Sequence, residues 1–187
     1  MKNLLRLFVL LAAMPALGGL ADARAQQEGA VVLKIAVMDV DAIRRDAKAV
    51  KAMQEQIGKY RSKYESEFKK EEEALRAANQ DLAKKRTILS PEAFAEERRK
   101  FERRVVDVQR LVQVRKQDLD KVRGVAMSKI QEVLNGIIAD MVKEQSLTLI
   151  LSRSQTVTFS RQIDITKTIL ERLNAKLPTV TVPEPGK

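Results

Sequence analysis

Ser152, Ser154 and Ser160, with Lys143 or Lys167, are the residues from which a nucleophilic Ser–Lys dyad would have to be built. Such a dyad needs a desolvated lysine beside the hydroxyl and backbone N–H groups aimed at the developing oxyanion. No glycine lies between Gly136 and Gly186 to form that loop, and nothing in the spacing fixes the geometry. The run Glu71-Glu72-Glu73 places three carboxylates in succession. On a helix they point in different directions, which makes a solvated face rather than a cation cage. The chain has no cysteine and no histidine. That removes thiol nucleophiles, disulfides, Cys-based zinc and iron–sulfur sites, acyl-cysteine anchors, and the commonest general base and metal ligand. Neither GxxxxGK[ST] nor GxGxxG occurs, so nucleotide phosphates have no cradle. The residues support no enzyme, cofactor or metal site.

What remains is charge. Among 187 residues the net charge is +10, with a pI near 9.9, which favours an anionic partner. The clusters are Lys84-Lys85-Arg86, Arg98-Arg99-Lys100 and Arg103-Arg104, against Glu92, Glu96, Glu97 and Glu102. They are read either as an ordinary solvated helix surface or as a positive tip that meets anionic lipid head groups or acidic clients. Tyr60, Tyr64, Phe68 and Phe101 are the aromatics of the same stretch. They either close a helix–helix seam or face a shared cavity and touch apolar segments of a partner.

The elements that must position these residues begin after an address. Lys2 and Arg6 precede an apolar run from Leu7 to Leu20, and Ala23-Arg24-Ala25 offers small residues to a signal peptidase. The expectation is a cleaved secretory signal over residues 1–25, with Ala23 as the other cleavage point. The apolar run is short for a spanning helix, although an uncleaved anchor is the competing reading. Cleavage removes three basic residues and one acid, Asp22, and leaves a strongly basic chain. Export of a chain without cysteine suits a periplasm.

Between Gly58 and Gly124 there is no glycine, and Pro91 is the only proline. Apolar residues recur at three and four through Val50, Met53, Ile57, Tyr60, Tyr64, Phe68, Leu75, Ala78 and Leu82. They recur again through Phe101, Val105, Val108, Val112, Leu119, Val122, Ala126, Ile130, Val133, Ile137 and Met141, with Arg115 in one intermediate slot. These are two helical seams. Glu55–Lys59, Glu65–Lys69, Glu72–Arg76, Asp81–Lys85 and Glu96–Lys100 supply i,i+4 pairs. Ser90 is a good N-cap and Pro91 a good first helical residue, so the chain is expected to reverse near 89–91. The result is an antiparallel hairpin arm over residues 46–145.

The remainder reads as a small β-body from residues 26–45 and 146–177. Val31 to Val40 is expected to form a strand buried on both faces, Leu147 to Leu151 a second and Thr156 to Ser160 a third. Asp39 or Asp41 is expected to cap a short helix, and Asp164 a helix from about Ile165 to Lys176. The tail over 178–187, with Pro178, Pro183 and Pro185, is expected to be loose. The fold class is α+β, mostly helical. A body of this size is marginal alone and leaves strand edges open, which argues for an oligomer.

The segments KIAVMDVDAI (Lys34 to Ile43), the charged arms, LTLIL (Leu147 to Leu151) and DITKTILERLN (Asp164 to Asn174) stand in the order that resembles the Skp/OmpH-like periplasmic chaperones. The resemblance covers nearly all of the chain after residue 25 and departs in the longer tail. It implies a homotrimer whose β-body carries three helical hairpins around a cavity. It also implies an ATP-independent holdase that keeps unfolded outer-membrane proteins from aggregating. The competing reading is a structural or adaptor coiled coil of the cell envelope. Nucleic-acid binding is suggested by charge alone; the export signal argues against it and no reader motif appears.

Overall fold

A computed structural model describes residues 32–186; the expected signal peptide lies outside the described residues. From Leu33 onward the chain forms one compact unit. In chain order the elements are β1 (Ile35–Met38), α1 (Val40–Asp46), α2 (Lys48–Lys85), α3 (Pro91–Gln145), β2 (Leu149–Ser152) and α4 (Thr166–Lys176).

β1 and β2 pair in parallel, with Ile35 opposite Leu149 and Met38 opposite Ser152. Parallel neighbours cannot be joined by a tight turn. Here the crossover is the whole helical hairpin. β1 is shorter than the Val31–Val40 run suggested. Asp39 ends it by accepting a hydrogen bond from the Ala42 amide at 2.8 Å, which starts α1 at Val40. Ala36, Val37 and Met38 are buried, whereas Leu149 in β2 is exposed. The third strand is not formed. Thr156–Ser160 runs between two short 3-10 turns with Val157 fully exposed. It pairs with neither β1 nor β2. The open side of β1 is met by Asp164 instead, in a single bridge with the Ile165 amide donating to the Val37 carbonyl at 3.0 Å.

The core lies where the body meets the arm. Val37, Ile43, Ile137, Met141, Ile169 and Leu173 are its largest fully buried side chains. α4 is pinned across α3 by a two-pronged Arg172–Glu144 pair, at 2.7 and 3.0 Å, and by Lys176–Asp140 at 3.1 Å. Asp164 bonds the first amide of α4, accepting from Thr166 at 2.9 Å. α2 has no side-chain cap of its own, since Ala47 precedes it. Asn174 of α4 supplies the acceptor, taking the Lys48 amide at 2.8 Å. Asn174→Ala is expected to lower stability by about 1 kcal/mol, the usual cost of losing a cap. Chemical denaturation would register it as a lower midpoint at unchanged slope.

α2 ends at Lys85, and Leu89 closes the turn by donating to the Lys85 carbonyl at 2.9 Å. Ser90 caps α3 by accepting from Ala93 at 3.3 Å, with Pro91 opening the helix. At 1.5 Å per residue α2 is about 57 Å long and α3 about 80 Å.

The C-terminal tail corrects the expectation of a loose end. Val180, Val182 and Pro185 are buried while Thr179 and Thr181 are exposed. Val180 and Val182 belong to the same hydrophobic cluster as Met53, Ile57, Val122 and Ile130. The prolines do not free this segment: its alternating valines find an apolar strip at the base of the arm.

Candidate functional site

The arm changes character along its length. Near the body, Val50, Met53 and Ile57 of α2 and Val122, Ala126, Ile130 and Leu134 of α3 are buried. Between Tyr64 and Val122 no side chain is buried. Over this distal stretch, about 30 Å of two-helix rod, seam residues such as Phe68, Leu75, Ala78, Leu82, Phe101 and Val105 are only half-buried. Two helices can bury one stripe each, and among the described residues no third helix covers the flanks. Val106, Val112 and Val114 are exposed.

Charge ties the distal rods together. Arg115 reaches Glu67 at 3.3 Å, Arg104 reaches Glu71 at 3.4 Å and Lys85 reaches Glu97 at 2.9 Å. Of the i,i+4 pairs along the arm, Glu55–Lys59, Glu72–Arg76 and Asp81–Lys85 form. Lys100 turns instead to Glu97, three residues before it.

The aromatic residues divide. Tyr64 is buried, 6.4 Å centroid to centroid from Phe68, and the Arg115 guanidinium lies 4.7 Å over its ring. Burial pushes the Tyr64 phenol above its ordinary pKa, partly opposed by the Arg115 charge. Arg115 therefore fills its seam position by stacking on one helix and pairing with Glu67 of the same helix. One arm groove of about 270 Å3 is lined by Ile57, Tyr64, Phe68, Val112 and Leu119 with Arg61 at its rim. A second, of about 190 Å3, holds Ala78, Leu82 and Phe101 between Lys85, Glu97 and Arg104. Tyr60 is half-buried and joins the core at the base of the arm.

The eight basic residues of the tip are brought together by the reversal, but they are not equivalent. Lys85, Arg98, Lys100 and Arg104 each pair with a carboxylate. Lys84, Arg86, Arg99 and Arg103 are exposed and form no ion pair among the described residues. Arg99 and Arg103 share one face of α3 with Glu102, Val106, Asp107 and Arg110. Four of the eight basic residues are therefore without an ion pair among the described residues. Spacing anticipated Asp81–Lys85, but Lys85–Glu97 and Arg104–Glu71 cross between helices and are not visible in it.

Glu97 is the acid that organises this tip. Hydrogen bonds from Lys85 and Lys100, then their charges, hold its carboxyl down at about 2. A depressed acid stabilises the folded state above its unfolded pKa, about 4.3, and loses that contribution as pH falls through about 2. Glu97→Gln is therefore expected to melt below the wild type at pH 6. The two melting temperatures should converge as pH falls from about 4.5 to 2. A gap that stays constant across that window would remove Glu97 from its place in the tip.

Ser152 Oγ lies 2.8 Å from Ser154 Oγ, and Lys167 faces Glu171 at 3.8 Å. Among the described residues no helix is long and apolar enough to cross a membrane.

The family model described as outer membrane protein (OmpH-like) matches residues 34–173, from β1 through the arm and into α4. No curated protein matches the sequence. Among solved structures, an OmpH-like outer membrane chaperone from Caulobacter crescentus CB15 has the same fold, with a TM-score of 0.75 at 19% identity. The likeness covers 85% of this chain and 94% of that one. The family match stops before the docked C-terminal tail. With β1, the hairpin, β2 and most of α4 inside that match, the chain belongs to the OmpH-like family.

Proposed function

We propose that this protein is an ATP-independent periplasmic holdase that binds unfolded outer-membrane proteins between helical arms of a homotrimer. One observation carries the reading: a two-helix rod projects from the core with no buried side chain between Tyr64 and Val122. A rod that serves only as a spacer has no need of half-open apolar grooves. A surface that must hold many unrelated chains, and release them without an energy source, needs shallow contacts spread over length. The grooves at Tyr64–Phe68 and at Phe101 offer such contacts, and the unpaired charges of Lys84, Arg86, Arg99 and Arg103 attract acidic clients or an anionic lipid surface.

Oligomerisation is supported by the body. Two short strands leave edges open, and Leu33, Leu149 and Val157 are exposed beside them. Sister copies would cover these residues and stand the arms around a common space. Membership of the OmpH-like family supports the same reading, and the periplasmic location follows from the expected signal over residues 1–25.

The test is aggregation of a denatured outer-membrane β-barrel protein on dilution from urea, followed by light scattering. The chain beginning at Gln26 is expected to suppress scattering at a ratio of three chains per client, with or without nucleotide. A structural adaptor would leave the client's aggregation unchanged, and that result would overturn the proposal.

A further inference from the structure

The segment after α4 is built into the arm as a peptide ligand is built into a groove. Thr179 and Thr181 face solvent, while Val180 and Val182 are buried. The side-chain amide of Gln56 holds the backbone between them from both sides. Its Nε2 donates to the Val180 carbonyl at 2.7 Å, and its Oε1 accepts from the Val182 amide at 3.1 Å. Gln56 thus offers one donor and one acceptor to an extended chain, as a neighbouring strand does. Recognition of this kind takes affinity from main-chain hydrogen bonds and selectivity from pockets for alternate side chains. Neither element depends on the identity of the exposed residues.

The far end of the segment also packs on the arm, with Pro185 buried. Gly186 takes a positive φ of 87° against the side chains of Asp118 and Arg115. Arg115 Nε and Asp118 Oδ2 are buried there with no hydrogen-bond partner, which weakens the docked state. Arg115 is also the residue stacked on Tyr64, so the tail ends at the border of the groove at Tyr64 and Phe68.

We infer that the Gln56 groove is a binding site for extended segments of alternating apolar and polar residues, and that residues 178–186 are its resident, displaceable occupant. The sequence Thr179-Val180-Thr181-Val182 alternates polar and apolar residues, as a strand with one buried face does. The tail is therefore a stand-in for a client strand, tethered in cis at an effective concentration in the millimolar range. The client class rests on the holdase reading; the existence of the site does not.

The experiment uses a chain ending at Leu177 and a fluorescent peptide of residues 178–187. The truncated chain is expected to bind this peptide saturably, and the intact chain at least tenfold more weakly. Gln56→Ala in the truncated chain is expected to cost a further tenfold or more. A barrel-strand peptide of alternating pattern should compete, and a helical Ala/Glu/Lys peptide should not. Absence of binding by a truncated chain of native helicity and mass overturns the site. Should truncation prevent folding, the full-length Val180→Ser, Val182→Ser double variant replaces it, with the same expected binding. On the intact chain, saturating barrel-strand peptide should speed hydrogen exchange at the Val182 amide at least tenfold; no acceleration overturns displaceability. Binding of the tail peptide without competition by the barrel-strand peptide overturns the client assignment alone. The aggregation assay then still decides the holdase reading by itself.

Discussion

Replacing Leu173 with alanine is expected to destabilise the protein by about 2–5 kcal/mol, the range for emptying a leucine-sized space in a packed core. Leu173 is fully buried on α4, in one cluster with Ile43, Ile137, Met141 and Ile169. The loss is large because the body is small. Its core ties together elements from both ends of the described chain, and whole domains are stable by only about 5–15 kcal/mol. Leu75→Ala, on the half-buried distal arm, should cost far less, since its site is already partly wet. Urea denaturation followed by circular dichroism distinguishes the two. Equal losses at Leu173 and Leu75 would mean that the arm, and not the body, holds the fold.

The second large effect is kinetic. Neutralising Lys84, Lys85, Arg86, Arg98 and Arg99 together to glutamine is expected to slow client capture at low salt by about tenfold or more, and to flatten its salt dependence. Steering acts through uncompensated charge. Lys84, Arg86 and Arg99 carry it, with Arg103, whereas Lys85 and Arg98 are already paired with carboxylates. The quartet Lys84, Arg86, Arg99 and Arg103 should therefore reproduce most of the effect. The pair Lys85 and Lys100, tied to Glu97, should alter tip stability more than capture. Stopped-flow capture of a labelled unfolded barrel protein across a salt series measures both. Rates that stay unchanged and insensitive to salt would remove the tip from client capture.

What was legible in the sequence was local. Ser90 before Pro91 states a helix start through atoms within three residues of one another, and Asp39 and Asp164 do the same for α1 and α4. The seams of α2 and α3 follow from period alone, because a long helix must turn its apolar stripe toward something. Where the sequence misled, the deciding contact came from far along the chain. Thr156–Ser160 alternates like a strand, yet the edge of β1 is met by Asp164. The prolines of the tail read as loose, yet Gln56 captures Val180 and Val182 across more than a hundred residues. Asn174 caps α2 from a similar remove, and no motif in either segment announces it. The same limit applied to the tip. Composition gave eight cations; Lys85–Asp81, Arg98–Glu102 and Lys100–Glu97 are local pairs, whereas Lys85–Glu97 and Arg104–Glu71 cross between helices and have no signal in the spacing.

The grooves at Phe68 and Phe101 join these scales. Tyr64, Phe68 and Phe101 were visible as aromatics at helical spacing, and seam packing accounts for Tyr64, which is buried. Phe68 and Phe101 remain half-buried in clefts with charged rims. A third helix would have closed these clefts. Without one, the arm keeps apolar surface within reach of a partner at the cost of its own cohesion, which suits weak and reversible contact.

The central claim, that copies of this chain enclose a client, is tested most directly by the mass of the assembly. Multi-angle light scattering on the chain beginning at Gln26 should give three times the single-chain mass. After addition of one denatured outer-membrane β-barrel protein, the mass should rise by that of one client, in the absence of nucleotide. A monodisperse single chain at micromolar concentration, whose mass does not change when the client is added, would contradict the account.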